Sequence, residues 1–343
     1  MQNVLSLRNE NARYKIKMRR TILTALTFVS FLCSPFVLKA QTNEEIVASL
    51  NKYGTFDQWT VREVKESGLI GGATKYLYEF YGNPSDTLRG NKPYKAPEGY
   101  LWRTNNVMAN VVGVVKASIT DFPEKREDGY CIRIETHIEE VKALGIVNMD
   151  VTCQGAFIFG ELPEPIRDTK NPMEKPNYGM PFSGKPKALV YDYKADVGHE
   201  VIRGTGFSKL KNMGYPDYPI VLAILQKRWE DEKGGLHALR VGTGIRVIKE
   251  NAPEWVNGYV QEIHYGDITG EPFYTEDMGL ISGEKTLTGF NSKGKKAKVV
   301  EEGWADKDET PNFMVIYFLS SCGEAFYGGV GNTLWLDNVR LEM

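Results

Sequence analysis

Residues 130–141 read YCIRIETHIEEV. Ile132, Ile134, Thr136 and Ile138 fall on one side of an extended chain, and Arg133, Glu135, His137 and Glu139 on the other. A period of two is the mark of a strand half-buried in an antiparallel sheet, because successive side chains point to opposite faces. The same reading extends to NVVGVVKASI, KALVYDYKAD, PIVLAILQKRW, HALRVGTGIRVI, NFMVIYFLSS and TLWLDNVRLE. About a dozen strands separated by Gly, Pro, Asn and Asp clusters predict an all-β fold, an antiparallel sandwich of jelly-roll type. No sequence repeat and no alternating helices accompany them, which disfavours a propeller or an α/β fold.

Helical periodicity is confined to the N-terminal side. NEEIVASLNKY, residues 43–53, predicts one short helix. Before it, RRTILTALTFVSFLCSPFVLKAQ has the basic start, apolar centre and small-residue end of a secretory signal, so residues 1–40 are expected to be removed on export. The expected layout is therefore a leader (1–40), a short helix and linker (41–55) and one large sandwich (56–343). The proline-rich stretch 161–187 leaves a second layout open, two β domains split there. No later segment is long and apolar enough to cross a membrane as a helix.

Without the leader the chain keeps 35 Lys and Arg against 43 Asp and Glu, a net charge near −8. That balance argues against nucleic acid or an anionic membrane surface as partner. Three cysteines remain, Cys131, Cys153 and Cys322; an odd number leaves at least one without an intrachain partner, and Cys131 and Cys153 lie in neighbouring strand-like runs.

Several chemistries are poorly served. The glycines of SSCGEAFYGGVGNTLWLDNVRLEM (320–343) lack the Lys-Ser/Thr of a phosphate loop, and residues 332–341 beyond them have the pattern of a strand, so they predict a turn. HEVIR at 199–203 has arginine where a zinc helix needs its second histidine, and His137, His199, His237 and His264 are scattered. Glu135 and Glu139 are roughly 13 Å apart along an extended chain, too far for a glycosidase pair by themselves. Loop acids such as Asp267, Glu271, Glu276 and Asp277 leave hydrolysis open.

Aromatic residues carry more information. WVNGYVQEIHYGDITGEPFY (255–274) interleaves rings with Asn257, Gln261 and Asp267. Sugars offer C–H faces that stack on flat rings and hydroxyls that need amide or carboxylate partners. Trp255, Asn257, Tyr265, Asp267 and Tyr274, with Trp102 from GYLWRTNN, form the expected ligand set; the alternative is that these rings fill the sandwich. Trp59 has similar standing to Trp102. Asp337 lies on the apolar face of its strand, so it should be paired, at a bulge or bound to a metal, with structural calcium and Asp57 as the case to test.

GMPFSGKPKALVYDYK, DYPIVLAILQKR and PNFMVIYFLSSCGEAFYGGVGNTLWLDNVRLEM together resemble the "putative carbohydrate metabolism domain" (PCMD) family over about residues 95–343. That resemblance implies a jelly-roll sandwich similar to carbohydrate-binding modules, in exported proteins of saccharide degraders, sometimes labelled glycoside hydrolases. It transfers no catalytic motif, and Cys322 departs from the small polar residue expected there. The resulting expectation is a non-catalytic, exported binder of poly- or oligosaccharide, in the periplasm or at the outer cell surface beside glycan-degrading proteins, with no cofactor. A glycoside hydrolase and a structural or adhesive surface protein are the alternatives.

Overall fold

The computed structural model describes residues 41–343, apart from 81–86, 98, 144–146, 169 and 323. The leader lies outside the described residues. Thr42–Met343 cluster as one compact unit.

The fold is all-β with a single α-helix among the described residues. The elements that matter here are α1 (Asn43–Tyr53), β1 (Asp121–Arg126), β2 (Gly129–Glu135), β3 (Ala156–Glu161), β4 (Ala188–Asp196) and β5 (Ile220–Glu230). Next along the chain come β6 (Leu236–Val247), β7 (Ala252–Glu262), β8 (Lys296–Trp304), β9 (Phe313–Leu319) and β10 (Thr333–Glu342). A five-stranded sheet has the order β7-β4-β10-β2-β1. A ten-stranded sheet has β3-β9-β5-β6-β8 at its heart and short strands at both edges. Pairing among these named strands is antiparallel, save β6 with β8.

The inner faces share one core. Ile132, Leu189, Tyr191, Leu334 and Leu336 from the smaller sheet meet Phe157, Val221, Ala223, Ile316 and Phe318 from the larger. Tyr191 meets Phe318 edge-on at 5.5 Å between ring centres, and the Gln261 amide donates across the gap to the carbonyls of Val221 and Gly244. α1 closes one end of this core. Thr42 and Glu45 form a capping box at its start, satisfying two backbone N–H groups that would otherwise be unpaired. Ile46 and Leu50 then point inward.

The larger sheet is buried on both sides. Leu222, Ile224, Val315 and Tyr317 form a second cluster on its outer face. Tyr178 and Met173 from the proline-rich stretch cover it, together with Met278 and Ile281. This is why PIVLAILQ is continuously apolar instead of alternating. The proline-rich stretch folds back on the sheet: Asn177–Tyr178 pair with β3 and Met180–Pro181 with β9. Glu164 pins its start, accepting from Arg62 and from the backbone of Tyr94 and Met108.

The stretch 130–141 keeps its predicted alternation only as far as Thr136, which is buried. There the chain leaves the five-stranded sheet. His137–Ala143 pair with Val147–Cys153 alone, in a separate two-stranded ribbon, so Ile138 is only half-buried. The cause is local: the Thr136 backbone and hydroxyl are captured by Asn332 and Ser320 of the C-terminal loop.

That loop has a buried purpose of its own. The Asp217 carboxylate accepts from the backbone N–H groups of Cys322 and Gly329, and from the Ser321 hydroxyl. The Asn332 side chain donates to the Asp217 carbonyl. The glycine-rich turn is thus wound around an anion supplied by its own chain. Gly329 must be glycine, because a Cβ there would lie 2.5 Å from the Asn332 amide and 2.8 Å from the His199 carbonyl. Cys131, Cys153 and Cys322 are all free, so the two strand cysteines are not paired.

Candidate functional site

Two hollows compete for the role. The first gathers three of the residues singled out in the sequence. At the end of β1, Arg126 stacks its guanidinium 3.8 Å from the centre of the Trp255 ring. One of its nitrogens donates to both Asp192 (2.9 Å) and Asp337 (2.8 Å), another to Asn257 (2.7 Å). A bulge between β4 and β10 makes this convergence: the register slips between Val190 and Asp192, and Asn338 takes a positive φ of 50°. Asn338 then donates to Asp192 from its side chain and to Asp337 from its backbone.

The two carboxylates are pushed apart. Burial raises Asp337 to about 6, against the pull of Asn338 and Arg126. Burial works against the charged form of Asp192 too, but Asn338, the Gly258 N–H and Arg126 together hold it below the ordinary carboxylate range. Oppositely perturbed acids are what hydrolysis requires. Here, however, both acids are buried and the guanidinium fills the space between them, where a scissile bond would have to enter. The adjoining hollow, about 480 Å³, is bordered by Asp57, Tyr130, Asp337 and Asn338. Asp57 is engaged by the Tyr130 N–H. Asp337 is thus both paired and at a bulge. Among the described residues no group of three or more His, Cys, Asp or Glu is arranged to hold a metal.

The other expected ligand residues lie apart. Trp102 must be reassigned: it is 1% exposed, stacks on Phe157 at 4.3 Å, and donates its indole N–H to the Leu50 carbonyl. Pairing of Trp102–Thr104 with β3 carries it inside despite its polar neighbours. Trp59 is also core. Tyr265 is half-buried, its hydroxyl donating to the Pro186 carbonyl and its ring carrying Lys185 at 4.6 Å. Asp267 accepts from the Thr269 N–H and hydroxyl, which hold it low, the opposite of a general acid. Tyr274 is half-buried in the loop beyond.

The second hollow was not foreseen. A groove of about 520 Å³ crosses one end of the ten-stranded sheet, lined by Tyr100, Trp229, Phe290 and Phe313 with Asn177, Arg228 and Asn312. Its size and its mixture of rings with a few polar groups suit a small organic ligand. Trp229 is 43% and Phe290 40% exposed. Trp229 is braced by His237, opposite it in β6, with ring centres 5.5 Å apart. Asn312 clamps the backbone of Arg228, accepting from its N–H at 2.7 Å and donating to its carbonyl at 2.8 Å.

Behind the groove runs a buried polar chain. Arg240 and Glu301 form a two-point ion pair, with 2.7 Å from Nε to Oε1. Gln226 donates to Glu301 at 2.6 Å and accepts from Arg228 Nε at 2.7 Å. The Ile281 N–H completes the Glu301 shell. One signal could have found this site: in PIVLAILQKRWE the apolar run breaks into Gln-Lys-Arg-Trp-Glu while the strand continues, placing polar and aromatic side chains on a rigid element at the sheet's end.

No family model and no curated protein matches the chain, so the resemblance read in its sequence is without that support. Among the solved structures similar to it are two, each described as a "putative glycoside hydrolase". The one from Bacteroides thetaiotaomicron is 19% identical, with 65% of this chain and 56% of that one covered and a TM-score of 0.37. The one from Bacteroides vulgatus is 15% identical, with 78% and 91% covered and a TM-score of 0.43. The chain therefore spans little more than half the length of the first, and at these scores neither likeness bears on fold or activity.

Proposed function

We propose that the protein is an exported, non-catalytic carbohydrate-binding protein that takes a saccharide in the groove at the end of the ten-stranded sheet. One observation carries the reading: the exposed rings of Trp229 and Phe290 stand on strands, with Asn177, Arg228 and Phe313, around a single open groove that Tyr100 and Asn312 complete. Rings on strands bind with little entropic cost of ordering, and amides at the rim match hydroxyls. Titrating the whole protein with a panel of oligosaccharides, followed by calorimetry, tests it. Binding is expected, and Trp229→Ala with Phe290→Ala should abolish it. Binding indifferent to that pair of changes would refute the groove, and no binding to any glycan would favour an adhesive or structural role.

A further inference from the structure

We propose that the saccharide held in this groove is anionic, its carboxylate or sulfate pairing with the guanidinium of Arg228. The inference rests on the groove reading and names the class of sugar.

The buried arginines differ in how they are neutralised. Arg62 donates to Glu79 and Glu164, Arg126 to Asp192 and Asp337, and Arg240 to Glu301, each with a contact under 3 Å. Arg103 lies 3.7 Å from Glu79, and Arg246, with no acid, is held by the Tyr191 and Tyr193 hydroxyls and the Tyr259 ring. Arg228 meets no carboxylate within ion-pair distance among the described residues. Its Nε is spent on the neutral amide of Gln226, and its Nη2 is buried without a partner. Glu301, the nearest acid in that chain of contacts, is already saturated by Arg240, Gln226 and the Ile281 N–H.

A cation withdrawn from water without a counter-charge is costly, and structures retain one where something else supplies the charge. Burial accordingly pushes the Arg228 guanidinium well below its usual range, only partly offset by Glu301. Phe313 lies 3.7 Å from its centre and covers one face. Nη1, which has no hydrogen-bond partner among the described residues and, unlike Nη2, is not sealed from solvent, is the donor turned to the groove that Arg228 lines. That donor suits an oxygen of a carboxylate or sulfate.

Lys296, opposite Phe290 in register and 5.6 Å from the centre of its ring, adds a positive charge beside the groove, its ammonium donating to the carbonyls of Glu174 and Lys175. Glu161, the acid on the groove wall, belongs to β3, two strands from β5 and so roughly 10 Å away at the usual strand spacing. An acidic sugar can therefore reach Arg228 without meeting it.

The test uses the full chain on an array of polygalacturonate, polyglucuronate and sulfated galactan oligomers beside neutral galactan, glucan and mannan oligomers. Calorimetry is then run with the best binder and with its carboxyl-reduced or desulfated counterpart. The acidic form is expected to bind at least tenfold more tightly than its neutral counterpart. Arg228→Gln should weaken the acidic form about tenfold to a hundredfold, leaving the neutral form within twofold. Arg228→Lys, which keeps the charge but not the fork, should fall between. Preference for uronates or for sulfates identifies the anion. Equal affinity for acidic and neutral forms, or an Arg228→Gln protein that folds and binds the acid unchanged, overturns the inference while leaving the groove. Failure of every oligomer to bind, or binding indifferent to Trp229→Ala and Phe290→Ala, overturns the groove reading and this inference with it.

Discussion

Replacing Glu301 by glutamine should destabilise the protein far more than its small chemical change implies. Glu301 and its partner Arg240 have side chains 1% and 0% exposed. The carboxylate accepts from Arg240 at two points, from Gln226 and from the Ile281 N–H. Glutamine can keep part of this hydrogen bonding but none of the charge, and Arg240 would remain buried without compensation. Breaking such a pair on one side costs about 3–5 kcal/mol. For a unit of about 300 residues, the entropy of unfolding per residue converts this to a fall in melting temperature of about 5–8 °C. Differential scanning calorimetry of wild type and Glu301→Gln measures it. The double change Arg240→Met with Glu301→Leu supplies the control, since replacing both charges by apolar groups of similar volume is often neutral. A Glu301→Gln protein melting within 1 °C of wild type would show that the pair is dispensable and refute the view that the groove's floor is electrostatically braced.

The geometry leads to three more expected outcomes. Trp102→Ala empties a site stacked on Phe157 and should cost about 3–5 kcal/mol by denaturant unfolding, with saccharide affinity unchanged in whatever folds. Asp337 is raised to about 6, so its protonated form favours the fold; that contribution is complete below about pH 4 and lost as pH rises through 6. Asp337→Asn lacks this loss and should gain up to about 3 kcal/mol relative to wild type between pH 4 and 7; parallel stability curves over that window would rule it out. Gly329→Ala places a methyl against Asn332 and the His199 carbonyl, and about 1–3 kcal/mol of destabilisation is expected in thermal melts.

The strands were legible because burial on one face writes a period of two into residues such as Ile132 and Ile134. The helix at 43–53 was legible from its own periodicity. What the sequence hid was pairing across distance. Trp102 looked accessible among Arg103, Thr104 and Asn105, yet β3, more than fifty residues on, draws it inward. Trp255, Asn257 and Asp337 were singled out separately, but the arginine that joins them is set by the β4–β10 bulge, which no local spacing announces. The groove is the extreme case: Arg228, Phe290 and Phe313 come from three strands, and neither their neighbours nor their spacing ties them together.

The position of β10 carries a consequence for how the polypeptide acquires its shape. This last strand lies in the middle of the five-stranded sheet, between β4 and β2. As a chain emerges from the ribosome, β4 can pair with β7 and β2 with β1, but these two halves of the sheet cannot be joined until residues 333–342 are out of the exit tunnel. Nascent chains stopped short of that strand should remain open to protease, and chains long enough to free residues 333–342 should become resistant.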